Sequence, residues 1–327
     1  DALKKTAVID TSKVKNKSEI SKHDWYPVAL LLNGELVMKF PDPATGAKFV
    51  GNIANDRPDD DYKSLWNQIT PENTTKWKRC EPNDNRWTFE RSRGIYDYCR
   101  ENGLKFKFHT LIWGAQYPDW MDSIRTDAEL KAAVEEWIRK AGETFPLAGY
   151  VDVVNEPMFG HEAPFFRRAL GGMYGLYGTG WDWVIWSFER AREAFPNSKL
   201  LINDFNILKS KNNIKRYSHL INLLHARGLL DGIGCQAHWI EGRSAENIQS
   251  GVEYLASLCP GLPIYVSELE INIANDWEQK EKLQELFSLF WHHPAIKGIT
   301  FWGYKHSWVG KGGLLVRDGV DRPAMIW

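Results

Sequence analysis

Past residue 45 the chain alternates between two kinds of hydrophobic pattern. Short runs with nearly continuous apolar middles read as strands covered on both faces. They are KFVGNIAN (48–55), QITPENTTK (68–76), KFKFHTLIW (105–113), YVDVVNEP (150–157), KLLINDFN (199–206), GIGCQAHW (232–239), PIYVSELEI (263–271) and GITFWGYK (298–305). Between them apolar residues recur every three or four positions, as one face of a helix requires. Leu130, Val134, Trp137 and Ala141 make such a stripe over 127–144, and Thr126 with Glu129 has the spacing of a capping box at its start. Trp181, Val184, Phe188, Ala191 and Phe195 repeat the pattern over 181–195. A third helix is expected over 275–291, opened by Asn275 with Glu278 and carrying Leu283, Leu286, Phe287 and Phe290 inward.

Eight strands alternating with helices imply parallel strands joined by crossovers. No glycine-rich dinucleotide fingerprint follows the first strand, which weighs against an open doubly wound sheet. The fold class expected is therefore α/β, a (β/α)8 barrel of the TIM type. Residues 1–45 do not share the repeat. Asn33-Gly34 inside LLNGELVMKF (31–40) is a hairpin signal, so 1–45 reads as a short β decoration packed on a barrel domain of residues 46–327.

Composition changes this picture in one respect. The 327 residues are 43% apolar and 25% charged with a net charge of -1, which is ordinary for a globular chain and gives no basic stripe for nucleic acid. No apolar stretch is long enough to span a membrane. The lysine-rich segment from Lys13 to Lys22 reads as a solvated tail, and a start at Asp1 with no leader pattern reads as a processed chain. Cys80, Cys99, Cys235 and Cys259 are too scattered for a zinc motif and too few for a disulfide scaffold. The excess is in tryptophan, of which there are 16. Much of it can serve the core, but flat indole faces with a polar edge also suit sugar rings.

In a parallel barrel the strand C-termini converge on one face, where the active site lies. Glu156 ends the fourth run and Glu268 lies late in the seventh. Either glutamate alone reads as an ion-pairing loop carboxylate. Two on facing strand ends are the minimal machinery of glycoside hydrolysis: one protonates the leaving oxygen, the other attacks the anomeric carbon or activates water. His292-His293, at a helix end, reads as terminus packing, and GLYGTG (175–180) as a loop rather than a phosphate cradle.

The segments ITPENTTKW (69–77), FHTLIWGAQYPDW (108–120), VDVVNEP (151–157), LINDFN (201–206), GCQAHW (234–239), VSELEI (266–271) and FWGYKHSW (301–308), in this order, resemble the glycoside hydrolase family 10 xylanases over residues 48 to 327. The resemblance implies a retaining endo-1,4-β-xylanase with Glu268 as nucleophile and Glu156 as general acid/base. It implies that Asn155 bonds the sugar 2-hydroxyl, that Gln236 and His238 flank the nucleophile, and that Glu270 orients His238. Glu72, Asn73, Lys76, His109, Trp113 and Gln116 match glycone-side positions. Trp302 and Trp308 match the floor and wall of the subsite at the cleavage point. His109 also admits a purely structural reading, and Asn73 with Lys76 a rim pairing. The substrate implied is xylan or xylo-oligosaccharide, with no metal or organic cofactor. A secreted, extracellular location follows from a polymer that no cell imports whole. Other modules of a longer polypeptide are the further partners expected.

The match departs from the family at Gly114, where a second histidine normally supports the nucleophile region, and at Pro157 in place of alanine. Glu270 stands for aspartate, and the segment after Trp302 is short. Altered tolerance for substituted xylans is the expectation these changes carry. Two rival readings remain open on sequence: a retaining barrel glycosidase acting on another β-glycan, and a non-catalytic barrel that binds polysaccharide.

Overall fold

The computed structural model describes residues 48–159, 161 and 163–303 in full, and the backbone of 29–32, 35–38, 316–317 and 320–321. Ahead of the barrel, β1 (Ala29–Leu32) and β2 (Glu35–Met38) pair antiparallel with Leu32 opposite Glu35, the hairpin expected around Asn33-Gly34. How this hairpin packs on the barrel lies outside the described residues.

Eight parallel strands then close a barrel: β3 (Phe49–Ala54), β4 (Gln68–Pro71), β5 (Lys105–Ile112), β6 (Tyr150–Asn155), β7 (Lys199–Asp204), β8 (Gly232–Cys235), β9 (Ile264–Leu269) and β10 (Ile296–Phe301), with β10 hydrogen-bonded to both β9 and β3. Each coincides with one of the eight apolar runs. The short helices α1 (Tyr62–Leu65) and α2 (Trp77–Cys80) precede the outer layer of α3 (Glu90–Asn102), α4 (Asp127–Thr144), α5 (Asp182–Ala194), α6 (Lys211–His225), α7 (Ala245–Leu258) and α8 (Asp276–His292). A small antiparallel pair follows, β11 (Val316–Arg317) with β12 (Val320–Asp321).

The helices begin where their caps dictate. Thr126 and Glu129 form the complete capping box of α4, and Asn275 caps α8 by accepting the N–H groups of Trp277 and Glu278. On α4, Leu130, Val134, Trp137 and Ala141 are buried, and Trp137 Nε1 donates to the Leu111 carbonyl at 2.8 Å. Trp137 stacks on Trp77 at 5.6 Å, and Trp66, Trp183 and Trp186 are also buried, so core packing accounts for a good part of the tryptophan. All four cysteines are buried free thiols. His292 ends α8 with its Nδ1 2.7 Å from the Ser288 carbonyl, and 175–180 is a loop tied down by Asp182, which accepts the N–H groups of Tyr177, Gly178 and Thr179.

Inside the barrel, the end where the strands begin is plugged by Phe49, Tyr150, Leu201 and Tyr265. The Phe49 ring lies over Gly298, where an added Cβ would come within 2.2 Å of it. Further up, the interior turns polar. Lys107 and Asp152 form a buried ion pair at 2.9 Å, and Asn203, Gln68 and Thr300 are also buried. An apolar plug below and polar side chains above leave the functional groups at the strand C-termini.

Candidate active site

Glu268 sits near the end of β9 at 4% exposure, where an isolated carboxylate would be protonated. Its surroundings prevent that. Oε1 accepts from Asn203 Nδ2 at 2.7 Å, and His238 Nε2 lies 3.1 Å from Oε2. Burial pushes the carboxyl up, but the His238 hydrogen bond and the positive charges of His109, His238 and Lys107 outweigh it and hold Glu268 at about 2. The imidazole responds in kind. Burial pushes His238 down, while Glu268 and Glu270 push it further up, to about 9. Glu270 Oε2 lies 3.3 Å from His238 Nδ1, so the imidazolium is held between two carboxylates. At neutral pH Glu268 is therefore an anion, the form a nucleophile needs.

Glu156 follows the last residue of β6 and is also buried. Its backbone is left-handed, with φ at 54°, which turns the side chain out of the strand direction and into the barrel mouth. A non-glycine residue pays for this on the order of 1 kcal/mol. Two contacts enforce it: Glu156 N donates to the Asn203 carbonyl at 2.7 Å, and Asp204 accepts the N–H of Met158 at 2.9 Å and so braces the following loop. Gln236 Nε2 donates to Glu156 Oε1 at 2.9 Å and Trp113 Nε1 to Oε2 at 2.9 Å. His161 Nδ1 also meets Oε2.

The two carboxylates are joined by a row of amides. From Gln236 on Glu156 the contacts run to Asn155 Oδ1 at 3.3 Å, from there to Asn203 Nδ2 at 2.8 Å, and on to Glu268. Asn155 thus lies between the two carboxylates, whereas the Gln236 side chain, expected beside the nucleophile, bonds Glu156 instead, because it extends from the segment after β8 toward the end of β6.

The remaining candidates line one side of the mouth. Asn55 donates to Glu72 Oε2 at 2.5 Å and accepts Asn73 N at 3.1 Å, fixing the loop after β4. Asn73 Oδ1 receives Lys76 Nζ at 3.3 Å and Gln116 Nε2 at 3.4 Å. The rim pairing of Asn73 with Lys76 is therefore real, and it coexists with a place in the cleft. Lys76 is buried with Nζ 4.7 Å over the Trp113 ring. Desolvation lowers its proton affinity, opposed by Glu268, Glu72 and Glu156. His109 Nδ1 is 2.8 Å from Asp152 Oδ2, and its ring meets Trp302 edge-on at 5.5 Å. Trp302 is 5% exposed and also meets His238, at 6.3 Å. Trp308 lies outside the described residues.

Sequence reasoning passed over Asn203, Asp152, Asn55 and His161. Asn203 and Asn55 sat in plain view at the ends of two strand runs. Asp152 falls in a run whose pattern says only that it is buried. His161, in the loop after β6, carries no motif.

A parallel barrel with two buried carboxylates at the strand C-termini, joined through a row of amides and one of them clamped to an imidazolium, has the groups of a two-carboxylate glycosidase site. The chain belongs to glycosyl hydrolase family 10, whose family model matches residues 44–324. It is 36% identical over 285 residues to endo-1,4-beta-xylanase B of Cellvibrio japonicus, covering 86% of this chain and 45% of that protein. The chain thus spans less than half the length of that relative. Among solved structures, native xylanase 10B from Thermotoga maritima superposes with a TM-score of 0.73 at 25% identity, over 86% of this chain and 94% of the other. Xylanase 10B from Thermotoga petrophila RKU-1, in complex with xylobiose, gives 0.72 at 26% identity, over 86% and 92%.

Proposed function

We propose that this chain is a retaining endo-1,4-β-xylanase that cleaves xylan and xylo-oligosaccharides by double displacement. The observation that carries the reading is the opposite provision made for the two carboxylates. Glu268 is locked as an anion by His238, Asn203 and the nearby cations. Glu156 is met by Gln236 on Oε1 and by Trp113 and the half-exposed His161 on Oε2. An anion attacks and a group of changeable charge shuttles the proton.

In the first step Glu268 attacks the anomeric carbon while Glu156 delivers its proton to the departing sugar oxygen. In the second, Glu156 takes a proton from water, which displaces Glu268 and releases the sugar. Esterification of Glu268 removes a negative charge from the mouth and changes the proton affinity of Glu156 between the two steps. Asn155 lies between the two carboxylates, where it meets the 2-hydroxyl of the sugar under attack. Glu72, Asn73, Lys76, His109, Trp113 and Gln116 bind the glycone side, with Trp302 as the floor and Trp308 as the wall. The similarity to the xylobiose-bound Thermotoga petrophila enzyme supports xylose units as the substrate.

Residues 1–45 form an extension and 46–327 the catalytic domain in this reading. The protein works outside the cell, because its polymer substrate stays there, and other modules of a longer polypeptide accompany it. Secretion is tested by detecting the chain in culture supernatant, and accompanying modules by the mass of the native polypeptide.

The test of activity is product analysis on β-1,4-xylan with β-glucan and mannan in parallel and Glu268→Ala as control. Short xylo-oligosaccharides from xylan alone, absent with the variant, support the reading. Products from glucan or mannan in preference to xylan, or turnover by Glu268→Ala, overturn it.

A further inference from the structure

One contact at the site is made by a residue outside the set just described. His161 lies five positions beyond Glu156, and its Nδ1 meets Glu156 Oε2, the same oxygen that receives Trp113 Nε1 at 2.9 Å. The imidazole also packs edge-on against the Trp113 ring at a centroid distance of 4.7 Å and an angle of 81°. Lys76 Nζ lies 4.7 Å over that same ring, so the indole is flanked by two basic groups. The imidazole reaches Trp113 from the loop after β6.

Exposure separates this group from its neighbours. The His161 side chain is 53% exposed, whereas the Glu156 side chain is 9%. His161 thus links a buried carboxyl to bulk water. Its chemistry suits both states through which Glu156 passes. Nδ1–H donates to Oε2 when Glu156 is a carboxylate, and a bare Nδ1 accepts when Oε2 carries the proton. The bond to the carboxylate is the stronger of the two because one partner is charged.

Resting on the assignment of Glu156 as acid/base, we propose that His161 is a positioning residue. Together with Trp113 it aims Glu156 Oε2 at the leaving-group oxygen, and it eases the ionisation that accompanies proton delivery. The other titratable groups facing this pair are Lys76 from the segment before α2, Glu268 from β9, and Asp204 from β7, whose carboxyl is pushed up to about 8 by burial and the nearby Glu156. Arg216 of α6 covers Phe159 in the same loop at 5.0 Å.

The experiment compares wild type, His161→Ala and His161→Asn on two aryl β-xylobiosides. One has a poor leaving group that needs protonation, and the other a dinitrophenyl group that departs without it. In His161→Ala the ratio of kcat/KM on the poor to that on the good leaving group falls about tenfold, the order carried by one charge-assisted hydrogen bond. The alkaline limb of the pH profile on the poor leaving group moves up. His161→Asn, whose amide restores a donor near the Nδ1 position, recovers most of the ratio. In a Glu156→Ala background the His161→Ala change adds nothing. An unchanged ratio and an unmoved limb in His161→Ala overturn the proposal, as does an equal loss on both substrates. So does a loss that persists without Glu156. Wild-type inactivity on xylan and on both glycosides refutes the xylanase reading and this proposal with it. An active wild type matched by His161→Ala refutes this proposal alone.

Discussion

Replacing His238 with glutamine removes the cation that keeps Glu268 ionised, and the structure sets the size of the effect. His238 and Glu268 are each 5% exposed at the side chain, with 3.1 Å between Nε2 and Oε2. Holding Glu268 at about 2 instead of its ordinary 4.5 corresponds to about 3 kcal/mol at neutral pH, a net effect in which His238 is the largest opposing influence and His109 and Lys107 share. That agrees with the ~3–5 kcal/mol lost when one partner of a buried ion pair is removed. The sign follows from each partner. Glu268 is depressed, so its contribution is complete above pH 4.5 and is lost as pH falls through about 2. His238 is raised, so its contribution is complete below pH 6.5 and is lost as pH rises through about 9. Between 4.5 and 6.5 the pair contributes in full, and it is one interaction, counted once. Urea unfolding of wild type and His238→Gln across this range should therefore give a difference that peaks near pH 5 to 6 and shrinks on either side. Xylan turnover by the variant should fall by at least ~100-fold, because Glu268 and Glu270 repel each other and Glu268 takes up a proton. A stability difference that stays constant from pH 3 to pH 9 would refute the reasoning.

Three further substitutions test other parts of the site and scaffold. Glu156→Ala should lower xylan hydrolysis by ~100- to 10,000-fold while sparing much of kcat/KM, though not kcat, on a dinitrophenyl xylobioside, because the second step still needs the base, as steady-state rates on the two will show. Asn203→Ala removes the amide between Asn155 and Glu268, and kcat on xylohexaose should drop at least about tenfold, with KM changing less. Gly298→Ala would set a methyl group 2.2 Å from the Phe49 ring, so thermal unfolding should show a loss of about 1–3 kcal/mol or more.

The barrel was legible because its strands are buried on both faces and so stand out as apolar runs, and because the caps at Thr126 and Asn275 mark where helices begin. Strand ends were less so. The run 232–239 stops as a strand at Cys235, since Ala237 at φ 64° and Trp239 at φ 54° have left extended backbone. The run 68–76 stops at Pro71 and passes into the loop that carries Glu72 and Asn73. Nothing in a one-dimensional pattern announces a positive φ at a non-glycine residue, yet at Glu156 it is what turns the carboxyl into the mouth.

The same division holds for the site. Glu156 and Glu268 were legible because they lie at strand ends, and strand ends meet; Asn155, Gln236 and His238 were assigned through the family resemblance. The pairing of His238 with Glu270 came from the same resemblance. Asn203 was not assigned a role, although it touches both Asn155 and Glu268, because its contacts run sideways between strands 48 and 65 residues apart. Asp152 likewise looks like any buried residue of β6 until its bonds to Lys107 and His109 are seen. His161 was invisible for another reason: only the path of a loop brings it back onto Glu156.

The central claim is that Glu268 attacks the sugar directly, with Glu156 as acid and then base. Proton NMR of the anomeric signals during the first minutes of xylohexaose hydrolysis tests it most directly. The account predicts that the new reducing ends appear first as the β-anomer and only later mutarotate. First appearance as the α-anomer would mean that water attacks in one displacement and that Glu268 is a base rather than a nucleophile.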